Sequence, residues 1–390
     1  MKIVILNQYC ENRGDEAAGE ALAENLLGLP AVDRIDIIYN SAYRLNIEDP
    51  RLFHRNQDLL LKKIGVRAIG KYLALRKTPF KKFAVSNETL GRMIRTLREA
   101  DYIFITPCGA SIGIYKDWPF LVRILFAVLE GKTPIFYLDT IGRSHDLVFD
   151  HIARYVLKKS IIYVREKASH DYLESIGIPS KTGVDTAFSR KPVYLENKPG
   201  SIGLVVTRLD WHPDFRGTDI NSKILDGIIP GIAQFCSQNG LSIDLIPHIG
   251  NQDELEFMAQ IASALQNSGL SGQSVHICQQ IKTAAEYDNK IASERLVVGM
   301  RYHSIVLAAK NAVPFLSIAY ENKMVEACRY TGFPENCLNL HDPISANDIT
   351  HSLDRIYQDL AKISSKLKER YPVLHNLALL PLERFASSHG

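Results

Sequence analysis

The chain has 390 residues, of which 46% are hydrophobic and 23% charged, and its formal net charge is +3. These values predict a globular protein of one large or two ordinary domains, and the charge is too small to indicate nucleic-acid binding. No apolar run has the length of a membrane span or the pattern of a signal peptide, so we expect a cytoplasmic protein. The six cysteines lack CxxC spacing, which argues against a structural zinc site and a disulfide framework.

Short apolar runs typical of strands alternate with helical patterns from end to end, which predicts parallel sheets with helices on both faces. A linker rich in Pro, Gly, Lys and Asn at 190–201 interrupts the alternation. The predicted strands lie at 3–6, 35–39, 102–106, 135–138 and 161–164, and after the linker at 202–206, 243–246, 275–278, 296–298 and 315–318. The clearest predicted helices lie at 16–27, 120–129 and 344–367.

The expected fold class is therefore α/β, with two doubly wound Rossmann-like domains facing across a cleft. We place the N-terminal domain at 1–193 and the C-terminal domain at 194–370, with the tail at 371–390 packing back on the first domain. Ligands commonly bind between two such halves. We expect the second domain to bind a small anion.

One segment, residues 59–87, carries eight basic residues and no acidic one, with apolar residues at helical spacing. Such a segment has two interpretations. It is either a surface helix whose apolar stripe faces the core, or a peripheral contact with an anionic membrane surface.

The turn after the first predicted strand contains Asn12, Gly14 and Asp15. A strand, a glycine-containing turn and a helix start form the phosphate- or substrate-binding geometry of α/β folds. The turn lacks the GxGxxG and P-loop patterns, so dinucleotide binding has little support. The alternative is that Asp15 only caps a helix that starts at residue 16.

A second group of small residues, which includes Gly109, follows the predicted strand at 102–106. Small residues let the backbone approach a ligand closely. Asp117 and Trp118 come soon after, and an aromatic ring beside a carboxylate suits a sugar. Asp139 and His145 follow the next strand along the chain and are further candidates at this edge. The alternative is an ordinary turn between strand and helix.

In the second half, Arg208 follows the strand at 202–206, and His248 ends the strand that begins at 243. A guanidinium presents a planar fork that matches a carboxylate or a phosphate. The alternatives are a surface ion pair for Arg208 and a structural role for His248.

The sequence Arg301-Tyr302-His303 follows the apolar run at 296–300 directly, and a helical pattern starts near Ser304. The N–H groups of that helix would point at the same spot, which suits an anion. The strand that begins at 315 ends in Tyr320, with Lys323 close behind. Because open α/β sheets bind ligands outside the carboxyl ends of their strands, these residues predict a small-anion pocket with His303 as an acid beside it.

At these residues the sequence resembles the polysaccharide pyruvyl transferase family. The order and spacing of the pieces carry the resemblance more than any one of them. The matching pieces are the Asn12-Arg13-Gly14-Asp15 turn, residues 164–178 with Asp185 and Phe188, and the RYHSIVLAAKNAVPFLSIAYENK segment.

The resemblance implies a GT-B-like architecture and transfer of the enolpyruvyl unit of phosphoenolpyruvate onto a hexose as a cyclic ketal, with release of phosphate. It implies that Arg301 binds phosphoenolpyruvate and that His303 is the acid. Arg208 matches a second arginine that binds phosphoenolpyruvate, although the loop around it varies in the family. Lys323 matches the family's Tyr-x-x-Lys motif. Phosphoenolpyruvate is a co-substrate, so we expect no organic cofactor, and the sequence offers no carboxylate cluster for a metal.

Two departures concern the first domain. Many relatives carry a run of glycines where this chain has Cys108-Gly109-Ala110-Ser111, and a proline where it has Thr186. The first departure puts the acceptor's identity in doubt. We expect a galactose-type hexose in surface polysaccharide biosynthesis, with an undecaprenyl-linked form as one option.

Two rival functions stay open. One is a GT-B glycosyltransferase that uses a nucleotide sugar, with Glu321 as a ribose ligand. The other is a two-lobed anion-binding protein without chemistry.

Overall fold

The computed structural model describes residues 1–55, 88–196 and 198–386, and the chain divides into two compact units. The first unit comprises Met1–Glu11, Asp15–Ser189 and Leu377–Gly390, and the second comprises Asn12–Gly14 and Arg190–Asn376. The basic segment at 59–87 lies outside the described residues, so the structure bears on neither of its interpretations. In the part of the chain that is described, no helix is long and apolar enough to cross a membrane.

The described part of the first unit is built on a seven-stranded parallel sheet with the order β3-β2-β1-β4-β5-β6-β7. Its central strands are short, mostly apolar and buried because helices cover both faces, whereas the edge strands carry polar residues. They are β1 (Lys2–Gln8), β2 (Arg34–Tyr39), β3 (Leu52–Arg55), β4 (Tyr102–Ile105), β5 (Pro134–Asp139), β6 (Ile161–Val164) and β7 (Lys181–Thr182).

The helices described around this sheet are α1 (Arg13–Leu27), α2 (Glu88–Glu99), α3 (Trp118–Leu129), α4 (Leu147–Leu157) and α5 (Lys167–Ser175). Helix α1 begins at Arg13, three residues before the predicted start at 16. Asp15 therefore lies in the first turn and not at the cap. In the first turn its negative charge still interacts favourably with the helix dipole.

Alternate side chains of the sheet enter two apolar cores. One core contains Leu97, Leu125 and Phe149, and the other contains Tyr137 and the late residue Phe385. The Tyr137 hydroxyl also donates to the carbonyl of Ala378 at 3.3 Å. Since full burial of a large apolar side chain contributes about 1.5–3 kcal/mol, the chain end after Leu377 adds to the core of the first unit.

The second unit has a six-stranded parallel sheet with the order β10-β9-β8-β11-β12-β13. Its strands are β8 (Ser201–Val205), β9 (Ser242–Leu245), β10 (Val275–Ile277), β11 (Leu296–Gly299), β12 (Phe315–Ala319) and β13 (Cys337–Asn339). Its helices are α6 (Ile220–Lys223), α7 (Ile229–Asn239), α8 (Gln252–Asn267), α9 (Ala284–Ser293), α10 (Tyr302–Lys310), α11 (Asn322–Thr331), α12 (Ala346–Gln358) and most of α13 (Leu360–Leu379). The end of α13, from Leu377, belongs to the first unit, as does the short helix α14 (Glu383–Ala386).

Two predicted helix bounds in this unit are wrong. The single helix expected at 344–367 is two helices, α12 and α13, which break at Asp359. The apolar face of α12 packs on α7 and contains the buried Ile349, Leu353 and Ile356. The helical spacing of apolar residues continues past Asp359, so the sequence pattern did not reveal the break. Helix α10 begins at Tyr302 and not near Ser304, because Arg301 adopts the extended N-cap conformation.

Each sheet has a point at which the strand order reverses, and this is where open α/β sheets bind ligands. In the first sheet, β1 and β4 flank that point, and in the second sheet β8 and β11 flank it. Arg208 follows β8 and Arg301 follows β11. The topology of the second unit thus brings the two predicted anion-binding arginines to its switch point.

Candidate functional site

The turn between β11 and α10 holds Arg301 and His303 in a fixed local geometry. Arg301 is the N-cap of α10, and its carbonyl accepts hydrogen bonds from the Ser304 backbone N–H at 3.0 Å and the Ser304 hydroxyl at 2.6 Å. A Cβ on Gly299 would lie 2.2 Å from Oγ of Ser304, so the turn needs glycine there. Ser304 is fully buried, and its hydroxyl serves the turn itself.

The His303 ring is buried by close neighbours within the second unit. It lies edge-on to Tyr302 and parallel to the ring of His248, whose centroid is 6.3 Å away at an interplanar angle of 17°. The backbone of Gly14 packs directly on it, because a Cβ at Gly14 would lie 2.1 Å from Nδ1 of His303. The adjacent N–H of Arg13 donates to the carbonyl of His248 at 2.9 Å.

Arg301 is a candidate ligand-binding residue. Its Nε is buried and has no hydrogen-bond partner among the described residues. Leaving a buried charged donor unsatisfied costs more than about 1–3 kcal/mol, which a bound anion would recover. Arg301 and its neighbours Arg13, Lys323 and the N-terminus of α10 give the site a positive potential.

Trp211 links the two arginines. Its indole N–H donates to the carbonyl of Arg208 at 2.6 Å, and the Arg301 guanidinium lies over its ring at 5.8 Å. Tyr320 packs edge-on against the same ring at 6.3 Å. The sequence alone led us to expect only packing in a loop for Trp211, although its place three residues after Arg208 is a usable signal.

Trp211→Ala should weaken the binding of a small anion such as phosphate at Arg301 about tenfold, because it removes a cation–π contact and a hydrogen bond that place the arginines. Trp211→Phe keeps an aromatic face but loses the N–H and the second ring of the indole, so its affinity should lie between those of Trp211→Ala and the wild type. Calorimetric titration with phosphate measures all three affinities. Equal affinities of Trp211→Ala and the wild type would contradict this role.

The other cationic candidates have acidic partners in the structure. Arg208 is 43% exposed and pairs with Asp210. Lys323 pairs with Glu321 at 2.7 Å, and the second oxygen of Glu321 lies 3.4 Å from Nε2 of the buried His212. The carboxylate that a nucleotide-sugar enzyme would need for a ribose is therefore engaged by protein groups.

In the first unit, Asp117 is engaged through both carboxylate oxygens. One accepts from the Phe120 N–H at 3.0 Å and caps α3, and the other accepts from Nδ2 of Asn40 at 2.9 Å. The side-chain oxygen Oδ1 of Asn40 in turn accepts from Nη1 of the buried Arg123 at 2.6 Å. Trp118 packs edge-on against Phe149. The Asp117-Trp118 pair thus starts α3 and anchors a buried polar network.

The loop that contains Gly109 is held by Asp139 at the end of β5. Oδ1 of Asp139 accepts from the backbone N–H and the thiol of Cys108, both at 3.2 Å, and Oδ2 is buried without a hydrogen-bond partner among the described residues. Burial raises the pKa of Asp139 to about 8, against the lowering effect of Cys108 and Arg165. His145, by contrast, is exposed.

Asp139→Asn should change how stability depends on pH. The folded carboxyl has a pKa of about 8 and the unfolded one about 3.8, so the folded state binds this proton more tightly and stability falls as pH rises between those values. The slope is at most about 1.4 kcal/mol per pH unit. The variant lacks that proton, so its Tm relative to the wild type should rise by several degrees from pH 5 to pH 8. Parallel Tm curves would contradict a proton held at Asp139.

The segment of the first unit that matched at 164–178 contains a structural ion pair. Nη1 of Arg165 binds Asp185 at 2.8 Å, both side chains are at most 1% exposed, and Nε of Arg165 donates to Thr140 at 3.0 Å. This pair ties the loops after β5, β6 and β7 together. In the described ranges, no group of His, Cys, Asp and Glu side chains is arranged to hold a metal ion.

A family model, polysaccharide pyruvyl transferase, matches residues 12–322 of the chain. No curated protein matches the chain. Anabaena HepE in complex with UDP and glucose is similar in structure, with 14% identity, a TM-score of 0.60 and coverage of 100% of this chain and 99% of that one. S. aureus MnaA with UDP is similar at 12% identity and a TM-score of 0.61, with coverage of 99% of this chain and 96% of that one. The UDP-GlcNAc 2-epimerase of Neisseria meningitidis is similar at 10% identity and a TM-score of 0.58, with coverage of 99% of this chain and 100% of that one. At these identities the similarity shows the fold alone, a GT-B-like pair of Rossmann-like domains.

Proposed function

Because the chain belongs to the polysaccharide pyruvyl transferase family, we propose that it moves the enolpyruvyl unit of phosphoenolpyruvate onto a hexose and forms a cyclic pyruvate ketal. One observation carries the proposal. The buried Nε of Arg301, which has no acceptor among the described residues, stands at the switch point of the second sheet beside His303.

The donor has about three negative charges on a carboxylate and a phosphate. Arg301, Arg208, Lys323 and the N-terminus of α10 would neutralise them, and each charge-assisted hydrogen bond contributes about 1.5–3 kcal/mol. Asp210 and Glu321 hold Arg208 and Lys323 in the structure, so the donor would compete with these carboxylates. Since the exposed Arg208–Asp210 pair is weak, it would exchange readily.

In the proposed reaction, His303 donates its proton to the methylene carbon of phosphoenolpyruvate, which becomes a methyl group. The adjacent carbon becomes oxocarbenium-like, and one sugar hydroxyl adds to it and loses its proton. The bond to the phosphate oxygen then breaks, inorganic phosphate leaves, and a second hydroxyl of the same sugar closes the ring. The balance is a diol plus phosphoenolpyruvate giving a ketal plus phosphate, without a redox step.

We assign acceptor binding to the first unit, at the carboxyl ends of β1, β4 and β5, where Gly109 and Asp117 lie. Asn12, Gly14 and Asp15 follow β1 along the chain, Asn12 and Gly14 within the second unit and Asp15 within the first. A galactose-type hexose, free or undecaprenyl-linked, is the proposed acceptor in the cytoplasm. Peripheral contact with the inner face of a membrane would involve residues 59–87, which lie outside the described part of the chain.

The test is to incubate the protein with phosphoenolpyruvate and a panel of galactosides, glucosides and mannosaminides. We expect a mass gain of one pyruvyl unit on one acceptor class and an equal amount of phosphate. Arg301→Ala should abolish the mass gain and the phosphate release. Arg295→Ala is the control and should retain both, because Arg295 directly precedes β11, at the opposite end of the strand from Arg301. No mass gain on any acceptor with intact protein, or full activity of Arg301→Ala, would contradict the proposal.

The second candidate is a nucleotide-sugar transferase, favoured by the similarity of the fold to UDP-bound proteins. Thermal shifts separate the two. Stabilisation by phosphoenolpyruvate and not by UDP or GDP supports the pyruvyl transferase, and the reverse supports the rival. A non-catalytic anion-binding protein would be stabilised by phosphoenolpyruvate but release no phosphate with any acceptor.

A further inference from the structure

His248 is a buried imidazole beside the proposed acid that the reaction above does not use. Only 4% of its surface is exposed, and its ring lies parallel to that of His303 at 6.3 Å. Its Nδ1 lies 3.2 Å from the hydroxyl of Tyr287, another fully buried side chain. Its backbone is fixed on both sides, by the N–H of Arg13 and by the carboxylate of Glu254. The ring therefore has one defined position.

The charged groups that act on the His248 ring are cationic. Burial, with the nearby Arg301, His303, Arg13 and Lys323, holds the pKa of His248 well below its usual value.

The nearby carboxylate, that of Glu254, accepts from the backbone N–H groups of His248, Ile249 and Gly250 at 3.2, 2.8 and 2.6 Å. It is therefore occupied by the loop and makes no hydrogen bond to the imidazole. No described acidic side chain makes a hydrogen bond to the ring.

Tyr287 decides which ring nitrogen of His248 carries the proton. Burial, with the charges of Glu254 and Asp288, raises the pKa of Tyr287 well above its usual value, so the side chain is a phenol. A phenol is a better donor than acceptor, so its O–H donates to Nδ1. The proton of the neutral imidazole then sits on Nε2, which has no hydrogen-bond partner in the described ranges.

We propose that His248 is a positioning residue, a neutral imidazole in the Nε2–H form, which Tyr287 orients and against which the ring of the proton donor His303 is held. The proposal rests on the proposed function. Two parallel imidazoles whose centroids are 6.3 Å apart repel each other when both are charged. A partner ring that stays neutral leaves the proton to His303, and the parallel His248 ring together with the packing of Gly14 holds the plane of the ring that carries it.

The direct test is nitrogen-15 NMR of the whole protein labelled at histidine, with the His248 signals assigned by their loss in His248→Gln. We expect His248 to show a neutral ring with the proton on Nε2 at every pH from 5 to 8. Protonation of His248 within that range, or a proton on Nδ1, would overturn the proposal. The measurement needs no substrate, so a neutral Nε2–H ring in a protein that forms no ketal would count against the proposed function alone.

A second measurement uses Tyr287→Phe, which removes one hydroxyl and keeps the ring, with Tyr357→Phe as the matched control in the same unit. Loss of the hydrogen bond should let His248 sample the Nδ1–H form and lower kcat about five- to tenfold, with little change in the KM for phosphoenolpyruvate. The control should behave as the wild type. Unchanged kcat and an unchanged Nε2–H signal in Tyr287→Phe would refute the orienting role of Tyr287.

Discussion

His303→Gln should lower turnover about 10²–10⁴-fold, the usual loss when a general acid is removed. The physical reason is that the described groups beside His303 offer no good substitute: Arg301 stays charged, and the low pKa of His248 keeps that ring neutral. Glutamine keeps a polar side chain of similar length, so donor binding through Arg301 should persist. Phosphate release measures the first effect and a thermal shift with phosphoenolpyruvate the second.

The matched control for this variant is His276→Gln, since His276 is 56% exposed on β10 and pairs with Asp244. It should keep full turnover. Near-normal turnover of His303→Gln would show that the methylene carbon receives its proton from another group, and that Arg301 and His303 share a binding role only.

Gly14→Ala should lower kcat by about two orders of magnitude through the same ring. The new Cβ would lie 2.1, 2.3 and 2.5 Å from Nδ1, Cγ and Cβ of His303, far inside contact distance. His248 lies parallel to that ring and Tyr302 edge-on to it, so His303 must leave its position. A misplacement of about 1 Å at a reacting group can cost 10²-fold in rate.

The control for Gly14→Ala is Gly200→Ala, where an added Cβ meets nothing within 4 Å. That variant should match the wild type in kcat and in Tm. If Gly14→Ala also keeps its kcat while remaining folded, the His303 ring does not rest on Gly14 during turnover.

The sequence predicted the architecture of the second unit and the positions of Arg208 and Arg301 in it, because both depend on local order along the chain. Apolar runs that alternate with helical patterns require parallel sheets, and polar residues that follow two strands must meet at one edge. Arg301 and Arg208 follow β11 and β8, so their place at the switch point needed no knowledge of side-chain packing.

Contacts between residues distant in sequence could not be predicted in this way. The packing of Gly14 on His303 and the bracing of two arginines by Trp211 depend on the folded backbone. Asp117 was a candidate sugar ligand from its neighbour Trp118, but a pattern does not show that both its oxygens are used by α3 and Asn40. Similarly, the helical spacing of apolar residues continues across Asp359, so the sequence did not predict that α12 ends there.

The most direct test of the central claim is a crystal structure of the protein soaked with phosphoenolpyruvate. The account predicts a carboxylate or phosphate oxygen within hydrogen-bond distance of Nε of Arg301, and the methylene carbon next to the ring of His303. Phosphoenolpyruvate bound away from residues 301–303, with Nε of Arg301 still unpartnered, would contradict it.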